Sequence, residues 1–359
     1  MRILLFTTAY RPLVGGSEMA IENIAQRLPG VFFDIVTPRY NRAWPAVEED
    51  KNTTVYRVGF GSKLDKWLFP ILGLLKAYRL TGQYVYKAIH GYQASQASSA
   101  AFLLKYLKPR LPFILTLQEG KVLNQQSFLV KFLRRLIVQK ADHITVISNY
   151  LADYAVQFQK PVTRIPNGVA VDLFVPRDFQ NPRKRIITVS RLVNKNGVEN
   201  LIRAFALLTL SHDLELFIAG DGILKPKLMQ LAQELNVSDR IIFAGTVNHN
   251  DLPALLAQSD VFVRPSLSEG LGSAFLEAMA SGLPVVGTQV GGIPDFLNHG
   301  ETGLFCDPHR PDDIAQKIEL ILSDGILRNK IIKQALIHVR ENYSWEEIAK
   351  RMNEIYTNI

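Results

Sequence analysis

Short apolar runs alternate with segments of helical period along most of the chain. Residues 1–8 (MRILLFTT) read as a buried strand, and Gly15 and Gly16 permit the tight turn that follows. Ser17 can cap a helix whose apolar positions are Met19, Ala20, Ile24, Ala25 and Leu28. The two glycines serve either that turn alone or a ligand held close to the backbone. Further strands are predicted at residues 32–37, 84–89, 113–117, 143–147 and 162–165, with helical patterns at 62–80, 94–107 and 128–140. Such alternation predicts an α/β fold with a parallel sheet and helices on both faces.

Residues 165–168 (IPNG) signal a turn, and residues 176–184 (PRDFQNPRK) are polar, contain proline and lack periodicity. A domain boundary is placed there, near Gln180. A second α/β series follows, with strands at 185–189, 214–219, 241–244, 261–264 and 283–287, and residues 311–359 are mostly helical. Ser344-Trp345-Glu346-Glu347 has the cap-and-acid form of a helix start. The expected organisation is a domain over 1–180, a second over 181–343 and a terminal helix over 344–359. A length of 359 residues agrees with two cores better than with one.

Composition narrows the function classes. The chain is 47% hydrophobic and 21% charged, as a globular protein is, and its apolar runs are too short to span a membrane. The initial run is too short for a signal-peptide core. One cysteine, Cys306, excludes an internal disulfide framework and a cysteine-based zinc site. A cytoplasmic protein is expected. The net charge of +8 resides in the first half, where 23 Lys+Arg face 12 Asp+Glu in residues 1–180. This field suits nucleic acid, an anionic membrane, a phosphorylated substrate or simple solubility, but no nucleic-acid-binding motif accompanies it, so no nucleic-acid partner is expected. Segments 62–80 and 128–140 are both basic and apolar. Either could lie at the inner face of a membrane, or each could be a core-facing helix with a solvated rim.

Motifs are absent for several chemistries: no P-loop lysine, no complete GxGxxG, no GxSxG elbow, no Asp-x-Asp and no histidine pair at metal-binding helical spacing. No metal or other cofactor is expected. What remains centres on residues 268–286 (SEGLGSAFLEAMASGLPVV), read as loop, helix and strand with the helix starting near Leu271. Glu269 in the loop and Glu277 in the helix can accept hydrogen bonds from sugar hydroxyls. The amides of Gly270, Leu271, Gly272 and Ser273 at the helix start suit a phosphate. Arg191, in the loop after the strand at 185–189, could meet the charge of a departing diphosphate.

Residues 269–285 (EGLGSAFLEAMASGLPV) resemble the signature of the GT-B-fold retaining glycosyltransferases of glycosyltransferase family 4. Further matches follow in order: GGSE at 15–18, VISNY at 146–150, IPNGVAVDLF at 165–174, SRL at 190–192, AGDG at 219–222, GGIPD at 291–295 and GETG at 300–303. The resemblance implies two Rossmann-like domains facing across a cleft, with acceptor on the first, nucleotide sugar on the second and the last helix returning to the first. It implies that Glu277 binds the ribose, Glu269 the transferred sugar, Arg191 the diphosphate, and that Gly15 and Gly16 approach the phosphates. It further implies metal-independent transfer of a hexose, with retention, from a nucleoside-diphosphate sugar to a glycan or lipid-linked acceptor.

Two departures from the family pattern stand out. Asn196, preceded by Lys195, occupies the place of a usual lysine, and loss of that charge would cost about 1.5 to 3 kcal/mol of charge-assisted hydrogen bonding. Gln118 stands where a histidine is frequent, beside Glu119 as a possible acceptor contact; glutamine can bond a sugar hydroxyl but carries no proton at neutral pH. These departures motivate an alternative, a nucleotide-sugar-binding or glycan-binding protein without turnover. A nucleotide-sugar epimerase is a third reading.

Overall fold

A computed structural model describes residues 1–13, 15–118, 127–176, 184–208 and 214–359. The chain divides into two compact units, Met1–Asn167 with Trp345–Ile359, and Gly168–Ser344. The first boundary therefore falls before Gln180, which lies outside the described residues. The cause is local: the Val169 amide donates to the Tyr343 carbonyl at 2.7 Å, and Phe174 is buried against His249. Both contacts assign residues 168–176 to the second unit.

In the first unit, β1 (Arg2–Phe6), β2 (Phe32–Pro38), β3 (Val47–Asp50), β4 (Thr53–Val58), β5 (Ala88–Tyr92), β6 (Phe113–Leu117), β7 (His143–Val146) and β8 (Val162–Arg164) form one sheet of order β3-β4-β2-β1-β5-β6-β7-β8. All neighbours are parallel except β3 and β4. The helices are α1 (Gly16–Arg27), α2 (Asp65–Gln83), α3 (Gln96–Leu107), α4 (Phe128–Lys140), α5 (Asn149–Val156) and the returning α12 (Trp345–Asn358). The latter packs against α1. Its Tyr356 hydroxyl lies 2.7 Å from His90 Nδ1 on β5, and His90 Nε2 lies 2.6 Å from Thr116 Oγ1 on β6. Complete burial drives the His90 pKa down to about 3, so the ring bridges helix and sheet in its neutral form.

The strand expected at 84–89 is displaced: β5 starts only at Ala88. Residues 84–87 alternate like a strand, but Val85 is 93% exposed while the rings beside it serve Arg2 and Asp34. Tyr84 lies beneath the Arg2 guanidinium at 3.8 Å, and the Tyr86 hydroxyl bonds the buried Asp34 carboxylate, which also receives Arg2 Nε at 2.6 Å. The antiparallel pair β3–β4 was not anticipated. Its polar strand β3 lacks an apolar face, and Lys51 makes the turn with a left-handed backbone.

The second unit carries β9 (Lys184–Val189), β10 (Leu214–Ala219), β11 (Ile241–Gly245), β12 (Val261–Val263), β13 (Val285–Gly287) and β14 (Leu304–Phe305), all parallel, in the order β11-β10-β9-β12-β13-β14. Its helices are α6 (Val198–Leu207), α7 (Lys225–Glu234), α8 (Leu252–Ala257), α9 (Ser273–Ala280), α10 (Pro311–Ser323) and α11 (Gly325–Tyr343). Their buried apolar faces, including Leu201, Phe205, Leu228, Ile314 and Ile318, close one core with the central strands. Two parallel-sheet α/β units with a terminal helix returning to the first constitute a GT-B architecture. Among the described residues no helix is long and apolar enough to cross a membrane.

Candidate active site

Loops at the carboxyl ends of parallel strands form the usual binding edge of an open α/β sheet. In the second unit, the loops after β9 and β12 hold the predicted residues, apart from Glu277 on α9. The loop after β9 is locked by the one after β10: the Ser190 amide donates to Ala219 O at 3.0 Å and the Leu192 amide to Asp221 O at 2.9 Å. Leu192 is fully buried, which leaves Arg191 between these anchors with an exposed side chain. Asn196 is itself buried, and its Nδ2 donates to Arg191 O at 2.6 Å. The amide in the lysine position thus holds the arginine's loop. The cation next door points elsewhere: Lys195 Nζ stands 3.9 Å from Glu269 Oε1, while the Lys195 carbonyl accepts from the Leu267 amide at 2.7 Å.

Glu269 sits among donors that the sequence did not reveal. Arg264, immediately after β12 and nearly buried, donates from Nη2 to Glu269 Oε2 at 2.6 Å and from Nη1 to Val189 O at 3.2 Å. Its guanidinium also lies over the Phe275 ring at 4.7 Å. Arginine at the end of an otherwise apolar strand, five residues before a glutamate, was the available signal. The Gly270 amide donates to Glu269 Oε1 at 3.1 Å, so that amide serves the carboxylate. Helix α9 begins at Ser273 rather than near Leu271 because Leu271 is buried and Gly272 has left-handed backbone geometry. Of the four amides proposed for phosphate, those of Leu271, Gly272 and Ser273 are the ones not engaged by Glu269.

Glu277 lies in the body of α9, with only 12% of its side chain exposed. His249, in the loop after β11, places Nε2 3.0 Å from Glu277 Oε1. The carboxylate raises the imidazole pKa through this hydrogen bond, against the opposing effect of partial burial. Phe174 meets the same ring edge-on at 5.6 Å. The sequence shows only that no histidine pair stands at metal-binding helical spacing, and this contact, with a glutamate, spans 28 positions.

The first unit gathers the remaining residues. Gln118, just after β6, donates from Nε2 to Asn167 Oδ1 at 3.0 Å, and Asn167 is buried. A Cβ on Gly16 would lie 3.5 Å from Asn167 Nδ2. Gly16, Gln118 and Asn167 therefore converge at the carboxyl ends of β1, β6 and β8. In the sequence Asn167 stands out only within the turn at 165–168 and the family match at 165–174. Gly15 caps α1 in an extended conformation, with the Glu18 carboxylate folded back toward it. Glu119 lies outside the described residues. Among the described residues no three histidine, cysteine or acidic side chains stand together as metal ligands.

Comparison with known proteins gives this geometry its context. Residues 173–338 match the family model of glycosyl transferases group 1, and residues 14–173 match that of Glycosyltransferase Family 4. An uncharacterized glycosyltransferase of Methanocaldococcus jannaschii is 29% identical, with 99% of this chain and 98% of the relative covered. The phosphatidylinositol N-acetylglucosaminyltransferase GPI3 subunit of Saccharomyces cerevisiae is 26% identical over 99% of this chain and 83% of that protein. Among solved structures, Anabaena HepE in complex with UDP and glucose superposes with a TM-score of 0.81 at 19% identity, both chains being covered completely. Two family models that meet at residue 173, relatives named as glycosyltransferases and a shared architecture lead to one assignment: the chain belongs to the group 1 and family 4 glycosyltransferases of GT-B fold and is a glycosyltransferase.

Proposed function

We propose that the donor is a nucleoside-diphosphate hexose and that its sugar passes, with retained configuration and without a resident metal, to a hydroxyl of a glycan or lipid-linked acceptor. The observation that carries the donor assignment is the sheltered Glu277 carboxylate, one oxygen of which His249 holds while the other remains to accept hydrogen bonds from a ribose diol. UDP and glucose in HepE and N-acetylglucosamine transfer in the name of GPI3 support the same donor class.

The remaining groups have complementary tasks in this reading. Glu269, held in place by Arg264, accepts from hydroxyls of the transferred sugar. Arg191, Lys195 and the amides of Leu271, Gly272 and Ser273 stabilise the diphosphate as its charge grows. The new bond forms between the acceptor oxygen and the anomeric carbon on the face from which the phosphate oxygen leaves. The acceptor proton passes to that leaving oxygen, so no basic side chain is required and Gln118 serves as a hydrogen-bonding partner only. Isothermal calorimetry against UDP-, GDP- and ADP-hexoses should detect one donor class, with Glu277→Ala weakening it about tenfold or more, the scale of one to two charge-assisted hydrogen bonds. Binding of no member by the unaltered chain would overturn the donor assignment.

Peripheral association with an anionic membrane belongs to the same proposal. Helix α2 buries Phe69, Gly73, Ala77 and Leu80, yet its other side exposes Trp67, Ile71 and Leu75 at four-residue spacing beside Lys63 and Arg79. An apolar stripe flanked by cations suits the interface of an anionic bilayer. The protein should co-sediment with phosphatidylglycerol vesicles at 50 mM salt and be largely released at 500 mM or by Trp67→Ser. Sedimentation indifferent to both changes would contradict this mode of attachment.

A further inference from the structure

We infer that His249 is a positioning residue of the donor site, fixing the Glu277 carboxylate in the orientation that receives the ribose. This rests on the donor reading above. The chemistry of the contact admits one polarity: an ionised carboxylate only accepts, so Nε2 carries the proton and donates to Oε1 across 3.0 Å.

A glutamate side chain has three rotatable bonds, and its terminal torsion is broad, so an unrestrained carboxylate samples many planes. Two vicinal hydroxyls require one of them. The bond from His249 selects that plane and leaves Oε2, with the second lone pair of Oε1, directed away from the imidazole. The imidazole is itself restrained, since the buried Phe174 ring abuts it edge-on and the following residues enter α8. The ring is only half-buried, so its placement is not dictated by core packing. Part of the ordering needed for ribose binding is thereby present before the ligand arrives, and less is lost on association.

Three variants separate this role from a structural one. His249→Phe keeps an aromatic ring against Phe174 and removes the donor. His249→Gln restores an N–H at nearly the same reach without the ring. The probe is whichever of UDP, GDP or ADP binds the unaltered protein, measured by calorimetry. His249→Phe should weaken it about tenfold, His249→Gln should return it to within about threefold, and melting temperatures should stay nearly constant. In a Glu277→Ala background, His249→Phe should have no further effect, because the group it positions is gone. Wild-type affinity in His249→Phe would overturn the inference, as would equal losses in the Phe and Gln variants or undiminished losses in the Glu277→Ala background. If the unaltered chain binds no nucleotide, the donor reading falls and this inference with it. If it binds and Glu277→Ala weakens binding while His249→Phe does not, only the role of His249 falls.

Discussion

Arg264→Met should lower the unfolding free energy of the second unit by about 3 to 4 kcal/mol, a size set by stranding one partner of a buried ion pair. Methionine retains much of the volume over Phe275 but supplies no donor. Glu269 Oε2 would lose its 2.6 Å partner and Val189 O its 3.2 Å one, in a place where the Glu269 side chain is 14% exposed. Lys195, at 3.9 Å and more exposed, is too distant for a hydrogen bond and would recover only a fraction. The check is urea denaturation followed by a signal confined to the second unit, with Arg264→Met/Glu269→Gln beside the single variant. The double variant should recover at least half of the loss, because a neutral amide is cheaper to leave unpaired than a carboxylate. A single-variant loss below about 1 kcal/mol would mean that water and Lys195 neutralise Glu269 without Arg264.

That pair also shows where sequence reading reached its limit. Runs buried on both faces, such as Phe113–Leu117 and Val261–Val263, are legible because a parallel strand between two helical layers must be apolar almost throughout. Helix α4 is legible for a related reason, its four-residue periodicity bounded by polar stops. The register of function is harder. Glu269 and Glu277 stand within one recognisable segment, whereas the groups that restrain them come from the ends of β12 and the loop after β11. Nothing in local spacing announces that His249 will meet a glutamate on α9. Asn196 illustrates the opposite error: judged by residue type it is a missing cation, yet its burial and its bond to Arg191 O make it a brace for the arginine. Surface features such as β3 stay hidden because their strand pairing, not burial, fixes their conformation.

Gly291→Ala should lower the stability of the second unit by about 3 kcal/mol or more, equivalent to a fall of roughly 6 to 12 °C in melting temperature for a unit of this size. Two costs combine. The residue has φ +56°, and an added Cβ would lie 1.7 Å from the Glu269 carbonyl oxygen, so either the loop after β13 or the Glu269 loop must move. Gly300→Ala separates the two, since Gly300 has φ +76° with nothing within 4 Å of the same added atom. That variant should show the backbone cost alone, about 1 to 2 kcal/mol. The excess in Gly291→Ala then measures the close approach. Because His249, Glu277 and Arg191 are held by other elements, displacement of Glu269 should cost sugar affinity more than nucleoside-diphosphate affinity, which keeps those contacts even where the amides of Leu271, Gly272 and Ser273 shift with the loop. Equal melting temperatures for the two variants would refute the close packing of residue 291 on Glu269, and parallel loss of diphosphate and sugar affinity would refute the division of labour between the two glutamates.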